Sequence, residues 1–111
     1  MIRISATDGF ASQDGGFRRR LFDDGDGPLR AYAFSAAAHT DTADHCHARS
    51  VELFFAVKGH GTIVIEGQEV TMFEGDTVIV EPGEYHFVRT ASTDFQLLCV
   101  VAPNVGDLQI R

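Results

Sequence analysis

Cysteine, basic residues and long apolar runs are all scarce in these 111 residues, and each scarcity closes a class of explanation. Two cysteines, Cys46 and Cys99, do not make the disulfide framework of a small secreted domain, and both are expected as reduced thiols. No stretch approaches the roughly 20 apolar residues of a membrane span, and the opening MIRISATDGF has no apolar core of signal-peptide length. A soluble cytoplasmic protein with no membrane partner is the expectation. Nine Lys and Arg against sixteen Asp and Glu give a net charge of −7. A phosphate-binding surface needs clustered cations, so nucleic acid is not an expected partner. The one basic run, Arg18-Arg19-Arg20, lies between Phe17 and Leu21-Phe22 and reads as a solvated strand edge. Helix signals are poor as well. Ala36-Ala37-Ala38 is too short for a helix and runs into Thr and Asp. Repeats, linkers and low-complexity segments are absent.

What is present suits one globular domain spanning 1–111, with 44% hydrophobic and 23% charged residues. Short apolar runs punctuated by Gly, Pro and Asp predict strands over residues 29–35, 44–47, 51–57, 61–65, 69–73, 77–80, 86–90 and 95–102, with a weaker one over 17–22. IEGQEV reads as a tight hairpin with Gly67-Gln68 at its tip, and Pro82-Gly83 suits the centre of a type II turn. Many short strands at regular spacing argue for an all-β sandwich or barrel. Residues 29–102 form the expected barrel core. Residues 1–28, rich in Gly and Asp, form an arm expected to be the least ordered part and to pack on the barrel or on a partner.

Period-two geometry then places the histidines. Residues i and i+2 of a strand share a face, so His45 and His47 point one way and Cys46 the other, packed outward. A turn at Ala48-Arg49-Ser50 lets Glu52 open the next antiparallel strand and face His47 across the pair. His86 follows the Pro-Gly turn and starts a strand of its own. Three imidazoles and a carboxylate near strand starts are able to close one site, and neutral imidazole with carboxylate suits Fe(II), Mn(II), Ni(II), Cu(II) or Zn(II). The strand from Val51 to Val57 is apolar on both faces, as is FQLLCVVA, so both faces are expected to be covered: one by the barrel interior, the other by the N-terminal segment or by a second copy in a homodimer. Cys99 shares the face of Phe95 and Leu97, but the apolar pattern does not say which face that is.

The histidine spacing matches a known family. HCHARSVELFFAVKG carries His45, His47, Glu52 and Gly59, and GDTVIVEPGEYHFVRT carries Gly75, Gly83 and His86. In these two motifs the chain resembles the small single-domain bacterial cupins, the RmlC-like barrels of the cupin 2 type. Three positions depart from the pattern: His39 in place of the opening Gly, Glu81 in place of the first Pro of the second motif, and Thr90 in place of the closing Asn. None removes a ligand, and His39 reads as a solvated loop histidine. The resemblance implies a double-stranded β-helix, or jelly-roll, barrel, with one divalent transition metal per chain in its mouth on His45, His47, Glu52 and His86.

The function expected from this is a divalent-metal-dependent enzyme, of dioxygenase or of isomerase/lyase type, acting on a small oxygenated or carboxylate substrate. The pocket is expected to be lined by Tyr32, Phe54, Ala56, Val88 and Leu98. Tyr32, Tyr85 and Glu81 are the candidates for acid–base work. The competing reading is a non-catalytic module that binds or senses a sugar or other metabolite. A purely structural barrel is disfavoured, because it predicts degraded ligands and all four are present.

Overall fold

The computed structural model describes residues 1, 3, 5, 11–13, 16–36, 41–89 and 95–111. Among them there is no helix, and strands follow the Gly, Pro and Asp punctuation of the sequence. In chain order they are β1 (Ala11–Gln13), β2 (Gly16–Asp23), β3 (Arg30–Ala36), β4 (His45–His47), β5 (Val51–Lys58), β6 (His60–Ile65), β7 (Gln68–Phe73), β8 (Thr77–Val80), β9 (His86–Arg89), β10 (Gln96–Ala102) and β11 (Leu108–Ile110). All pairings are antiparallel. One sheet runs β1-β2-β3-β10-β5-β8 and the other β11-β4-β9-β6-β7. The two sheets face each other as a double-stranded β-helix barrel, as expected.

The core between the sheets is built by alternate residues of strands from both. Phe34 of β3, Phe54 and Ala56 of β5, and Leu97 and Cys99 of β10 meet Ile63 of β6, Met72 of β7 and Val88 of β9, with Val80 and Phe95 completing the cluster. Close packing decides one residue outright. A Cβ on Gly61 would overlap the buried Phe95 ring, so the glycine lets β6 pass against that side chain.

Two turns bear on the site. Gly83 has φ of +84°, the value the third position of a type II turn requires, and Glu84 N donates to Glu81 O at 3.2 Å. This turn delivers the chain into β9 at His86. The β6–β7 hairpin differs by one residue from the expected form. Ile65 pairs with Gln68, so its tip is Glu66-Gly67, both with positive φ, and not Gly67-Gln68. A two-residue turn of this kind needs left-handed backbone at both central residues. Glu66 is held there from outside the hairpin: its N donates to Tyr85 O at 2.8 Å, and its Oε1 accepts from Tyr85 N at 2.7 Å.

Three further features affect the site, two of them differences from expectation. β4 and β5 are not partners, because β4 pairs with β9 and β11 while β5 pairs with β10 and β8. Glu52 therefore meets His47 across the barrel interior, from the opposite sheet. The weaker strand expected over 17–22 is present as β2, which pairs with β3, and β1 pairs with β2, at the edge of the six-stranded sheet. β11, beyond the expected last strand, pairs with β4 and backs the histidine pair.

Candidate metal centre

His45 and His47 enter the site from β4, His86 from the start of β9 and Glu52 from the start of β5. The first three residues sit on one sheet and the fourth on the other. His45 and His86 are register partners, which brings their rings to 4.3 Å between centroids. The inward alternation of β5 points Glu52, Phe54 and Ala56 into the barrel. Glu52 and His86 are fully buried, His47 nearly so, and His45 is partly open at the mouth.

The second nitrogen of each ring is already committed. His45 Nδ1 lies 2.8 Å from Ala43 O and His86 Nδ1 lies 2.9 Å from Glu84 O. A carbonyl oxygen accepts and never donates, so both Nδ1 atoms carry the proton. His47 Nδ1 lies 3.4 Å from Asp107 Oδ1, a longer contact with a carboxylate on the same side of the ring. Asp107 is itself fixed by the backbone N of Arg49 and of Ser50, at 2.6 and 2.8 Å, and by Ser50 Oγ. Those contacts, more than offsetting its burial, hold its carboxyl below the ordinary range. Backing of this kind orients a metal-ligating imidazole and raises its basicity.

With Nδ1 protonated, the three Nε2 atoms are the free ligand atoms, and they converge on one oxygen. Their distances to Glu52 Oε1 are 3.8 Å for His45, 3.2 Å for His47 and 2.8 Å for His86. One ligand atom from each of the four residues lies within 4.8 Å of all the others. Glu52 Oε2 is taken by the Tyr32 hydroxyl, which donates to it at 2.6 Å. Burial raises the Glu52 pKa, but the three imidazoles outweigh it and hold the carboxyl well below its usual range. His45 is the converse case. Burial lowers its pKa, but Glu52 and the Ala43 carbonyl together raise it above 6.5. Three neutral Nε2 lone pairs facing a carboxylate oxygen repel each other and need a proton or a cation between them. A divalent ion fits this donor set: imidazole nitrogens plus one carboxylate oxygen, with the remaining coordination positions facing the cavity.

That cavity is about 220 Å³ and opens beside His45 and His47, between Arg30, Tyr32 and Phe34 of β3, Val88 of β9, Cys99 of β10, and Leu108 and Ile110 of β11. Of the residues expected to line a pocket, Tyr32 and Val88 do so. Phe54 and Ala56 face inward but lie behind the ligands in the core, with the Phe54 ring edge-on to His86 at 5.8 Å. The reason is depth: Glu52 occupies the mouth, and each alternate residue of β5 is a further 6.5–7 Å or so into the barrel. Leu98 is a correction. Leu97 and Cys99 point inward, so Leu98 points outward and borders a separate surface depression with Ala33, Ser35 and Val57. Apart from Gln96, FQLLCVVA is apolar on both faces, so hydropathy left its parity open. Cys99 takes the place assigned to Leu98, beside its register partner Tyr32. Burial and the proximity of Cys99 and Glu52 push the Tyr32 phenol well above its usual pKa.

Two of the acid–base candidates lie elsewhere. Glu81 is exposed, and Tyr85 stacks under the Arg111 guanidinium at 3.9 Å on the outer side of the barrel. Cys46 faces away from the histidines as expected, yet it is buried, with Sγ 3.7 Å from Gln109 Oε1. Neither cysteine is in a disulfide. His39 and Thr90 lie outside the described residues. The sequence reading did not single out Arg30 or Asp107. Asp107 is signalled only by a Gly-Asp pair before a short apolar run, and Arg30 only by its place two residues ahead of Tyr32 on one strand face.

The Cupin domain family model matches residues 23–101. An uncharacterized protein of Aquifex aeolicus is 32% identical over 65 residues, which cover 59% of this chain and 54% of that one, so the match spans about half the length of that curated relative. Among solved structures, the nucleoside dehydratase Pac13 of Streptomyces superposes with a TM-score of 0.82 at 15% identity over 100% of this chain and 91% of its own. The polyketide cyclase RemF of Streptomyces resistomycificus superposes at 0.79 with 20% identity, over 99% and 84%. KdgF of a Halomonas species superposes at 0.80 with 18% identity, over 94% of each chain. At these identities the structural likeness shows the barrel fold and nothing finer.

Two outcomes test the centre. His86→Ala is expected to weaken divalent-metal affinity at least 100-fold, beyond the 10–100-fold typical for an outer partner, while far-UV circular dichroism stays that of a β-barrel. Retained stoichiometric metal in that variant removes His86 from the ligand set. Metal affinity is also expected to depend on pH with a definite sign. Binding must displace the proton from His45, so affinity falls as pH drops through the His45 pKa, and the fall begins above pH 6.5. Titration calorimetry with Zn(II) across pH 5.5–8 that showed a flat affinity would contradict this.

Proposed function

This chain belongs to the cupin family, and on the convergence of three imidazole nitrogens with Glu52 Oε1 we propose that it is a divalent-metal-dependent enzyme acting on a small oxygenated or carboxylate substrate. A bound divalent ion supplies Lewis-acid polarisation of a substrate oxygen. The chain's own residues do the rest. Phe34, Val88, Leu108 and Ile110 give the cavity apolar walls that thin out water, and a volume of about 220 Å³ sits below the 300–1,000 Å³ or so of drug-sized pockets, which selects a small ligand. Tyr32 keeps Glu52 Oε2 occupied, so the carboxylate offers Oε1 toward the imidazoles.

Of the three acid–base candidates Tyr32 is the one that borders the cavity, but its proton is donated to Glu52 Oε2 and its phenol is held well above its usual pKa, so it acts as a fixed hydrogen-bond donor and not as a ready proton source. The isomerase or lyase type is favoured over the dioxygenase type on the Lewis-acid role the ion would have, which needs no oxidant. Two structural neighbours are named as a polyketide cyclase and a nucleoside dehydratase, and at 20% and 15% identity they support the fold on which this reading stands.

The test is metal content by plasma mass spectrometry on chelator-free protein, followed by turnover of a panel of small hydroxy and keto acids with and without oxygen. About one equivalent of divalent metal per chain and oxygen-independent turnover are expected. Turnover that needs oxygen moves the assignment to the dioxygenase type. A protein that neither carries metal nor takes it up overturns the enzyme reading.

We also propose a homodimer. The outward residues of β5 and β8, namely Val51, Leu53, Phe55, Val57 and Ile79, lie together on one sheet face, and Val57 and Ile79 are 49% and 50% exposed. The described N-terminal strands extend the sheet at β3, two strands away from β5, and do not lie over that face. A second copy would cover it, and a self-complementary patch suits a two-fold interface. Analytical ultracentrifugation at micromolar concentration is expected to give twice the chain mass, falling to a monomer with Ile79→Glu. A monomeric parent protein contradicts the dimer.

A further inference from the structure

Arg30 stands in the cavity wall with one buried donor unsatisfied. Its Nε makes no hydrogen bond, and no acid among the described residues lies within ion-pair distance of it, Asp23 acting on it only through space. A buried donor left without an acceptor is costly, more so when it is charged, so such groups are normally satisfied by something. The acid on the neighbouring strand is only a distant, through-space partner. Asp23 pairs with Arg30 in the β2–β3 register, but Asp23 Oδ1 accepts from Gly25 N and from Asn104 Nδ2, both at 2.8 Å.

The sheet register fixes where this cation sits relative to the metal ligands. Arg30, Val101 and Glu52 are in register across β3, β10 and β5. Their backbones are therefore two strand spacings apart, roughly 10 Å from Arg30 to Glu52. Arg30, Tyr32 and Phe34 share the inward face of β3, and all three border the cavity that His45 and His47 also line. Arg30 and the imidazoles thus line one small space, which a molecule of a few heavy atoms can fill.

Building on the metal-dependent reading above, we propose that Arg30 is the substrate anchor and that the substrate is a small monocarboxylate, held by its carboxylate at the guanidinium while a neighbouring oxygen faces the metal ligands. Charge selects the class. A divalent ion, Glu52, Asp107 and Arg30 sum to a single positive charge, which matches a monoanion. A phosphate ester dianion leaves the site net negative and asks for more donors than one side chain offers. The planar fork of arginine matches the two oxygens of a carboxylate.

The experiment measures binding of glycolate and pyruvate, and of their uncharged amides, to cobalt-loaded protein at constant ionic strength, by calorimetry and by the cobalt absorption spectrum. Each carboxylate is expected to bind at least tenfold more tightly than its amide. Arg30→Gln is expected to lose at least tenfold in carboxylate affinity while metal content and amide affinity change less than twofold. Equal binding of acid and amide by the parent protein overturns the anchor without reference to any variant. So does an Arg30→Gln protein that keeps its carboxylate affinity, and tenfold preference for methyl phosphate overturns the carboxylate class. Parent protein that takes up no cobalt yet binds carboxylate in an Arg30-dependent way overturns the metal reading and leaves the anchor standing.

Discussion

A single carboxylate oxygen, buried at the junction of the two sheets, organises everything around it. An ionised carboxyl without partners in the interior costs far more than a small domain has in stability, so Glu52 must be compensated on every side. Tyr32 saturates Oε2, and three imidazoles surround Oε1. These partners come from β3, β4 and β9, so the carboxylate ties the sheet of β3 and β5 to the sheet of β4 and β9 where the barrel opens. Because the Nδ1 atoms of His45 and His86 donate to main-chain carbonyls, the proton inventory around Oε1 is short by construction. A divalent ion or added protons must fill it. The competition between those two is the physical content of the site, and it makes metal binding and acidification opposing processes.

Backbone outside the ligand set holds the ligands in place. The Pro82-Gly83 turn and the Glu66 carboxylate fix the chain on either side of Tyr85 just before His86. Asp107, from the segment ahead of β11, clamps the Arg49-Ser50 turn and lies against His47. The ligands are thus placed by short-range hydrogen bonds in turns, and the apolar core underneath supplies the rigidity. Phe54 connects the two levels, since it belongs to the core cluster and meets His86 edge-on.

Much of this was legible in the sequence, and the parts that were not share a cause. The strands were readable because Gly, Pro and Asp punctuate apolar runs, and the ligand candidates because His45, His47, Glu52 and His86 sit at a recognisable spacing at strand starts. Periodicity carries local information only. It gave the shared face of His45 and His47 but not the partner of β4, so Glu52 was expected across a strand pair and lies across the barrel. It also fails where both faces of a strand are apolar, which is why Leu98 was placed inside and Cys99 left open. The hairpin tip was misplaced by one residue because a glutamate with positive φ is disfavoured locally and is stabilised here by Tyr85, nineteen positions along the chain. Arg30 and Asp107 matter through contacts that no local pattern encodes.

The same alternation that hid these features divides each strand between two tasks. In β5, Glu52, Phe54 and Ala56 face the interior, while Val51, Leu53, Phe55 and Val57 face outward. The inward set needs a strand whose position is fixed to a few tenths of an ångström, because Glu52 makes four contacts at once. β5 has that support at its edges from β10 and β8, and on its inner face from the core. Its outer face has none from the described residues. An apolar outer surface on the strand that carries the central carboxylate therefore couples the two tasks: whatever covers Leu53 and Phe55 also stiffens Glu52. On this argument the second copy we propose would be a structural support of the candidate metal centre, and separating the copies would loosen the Glu52 contacts before it unfolds the barrel.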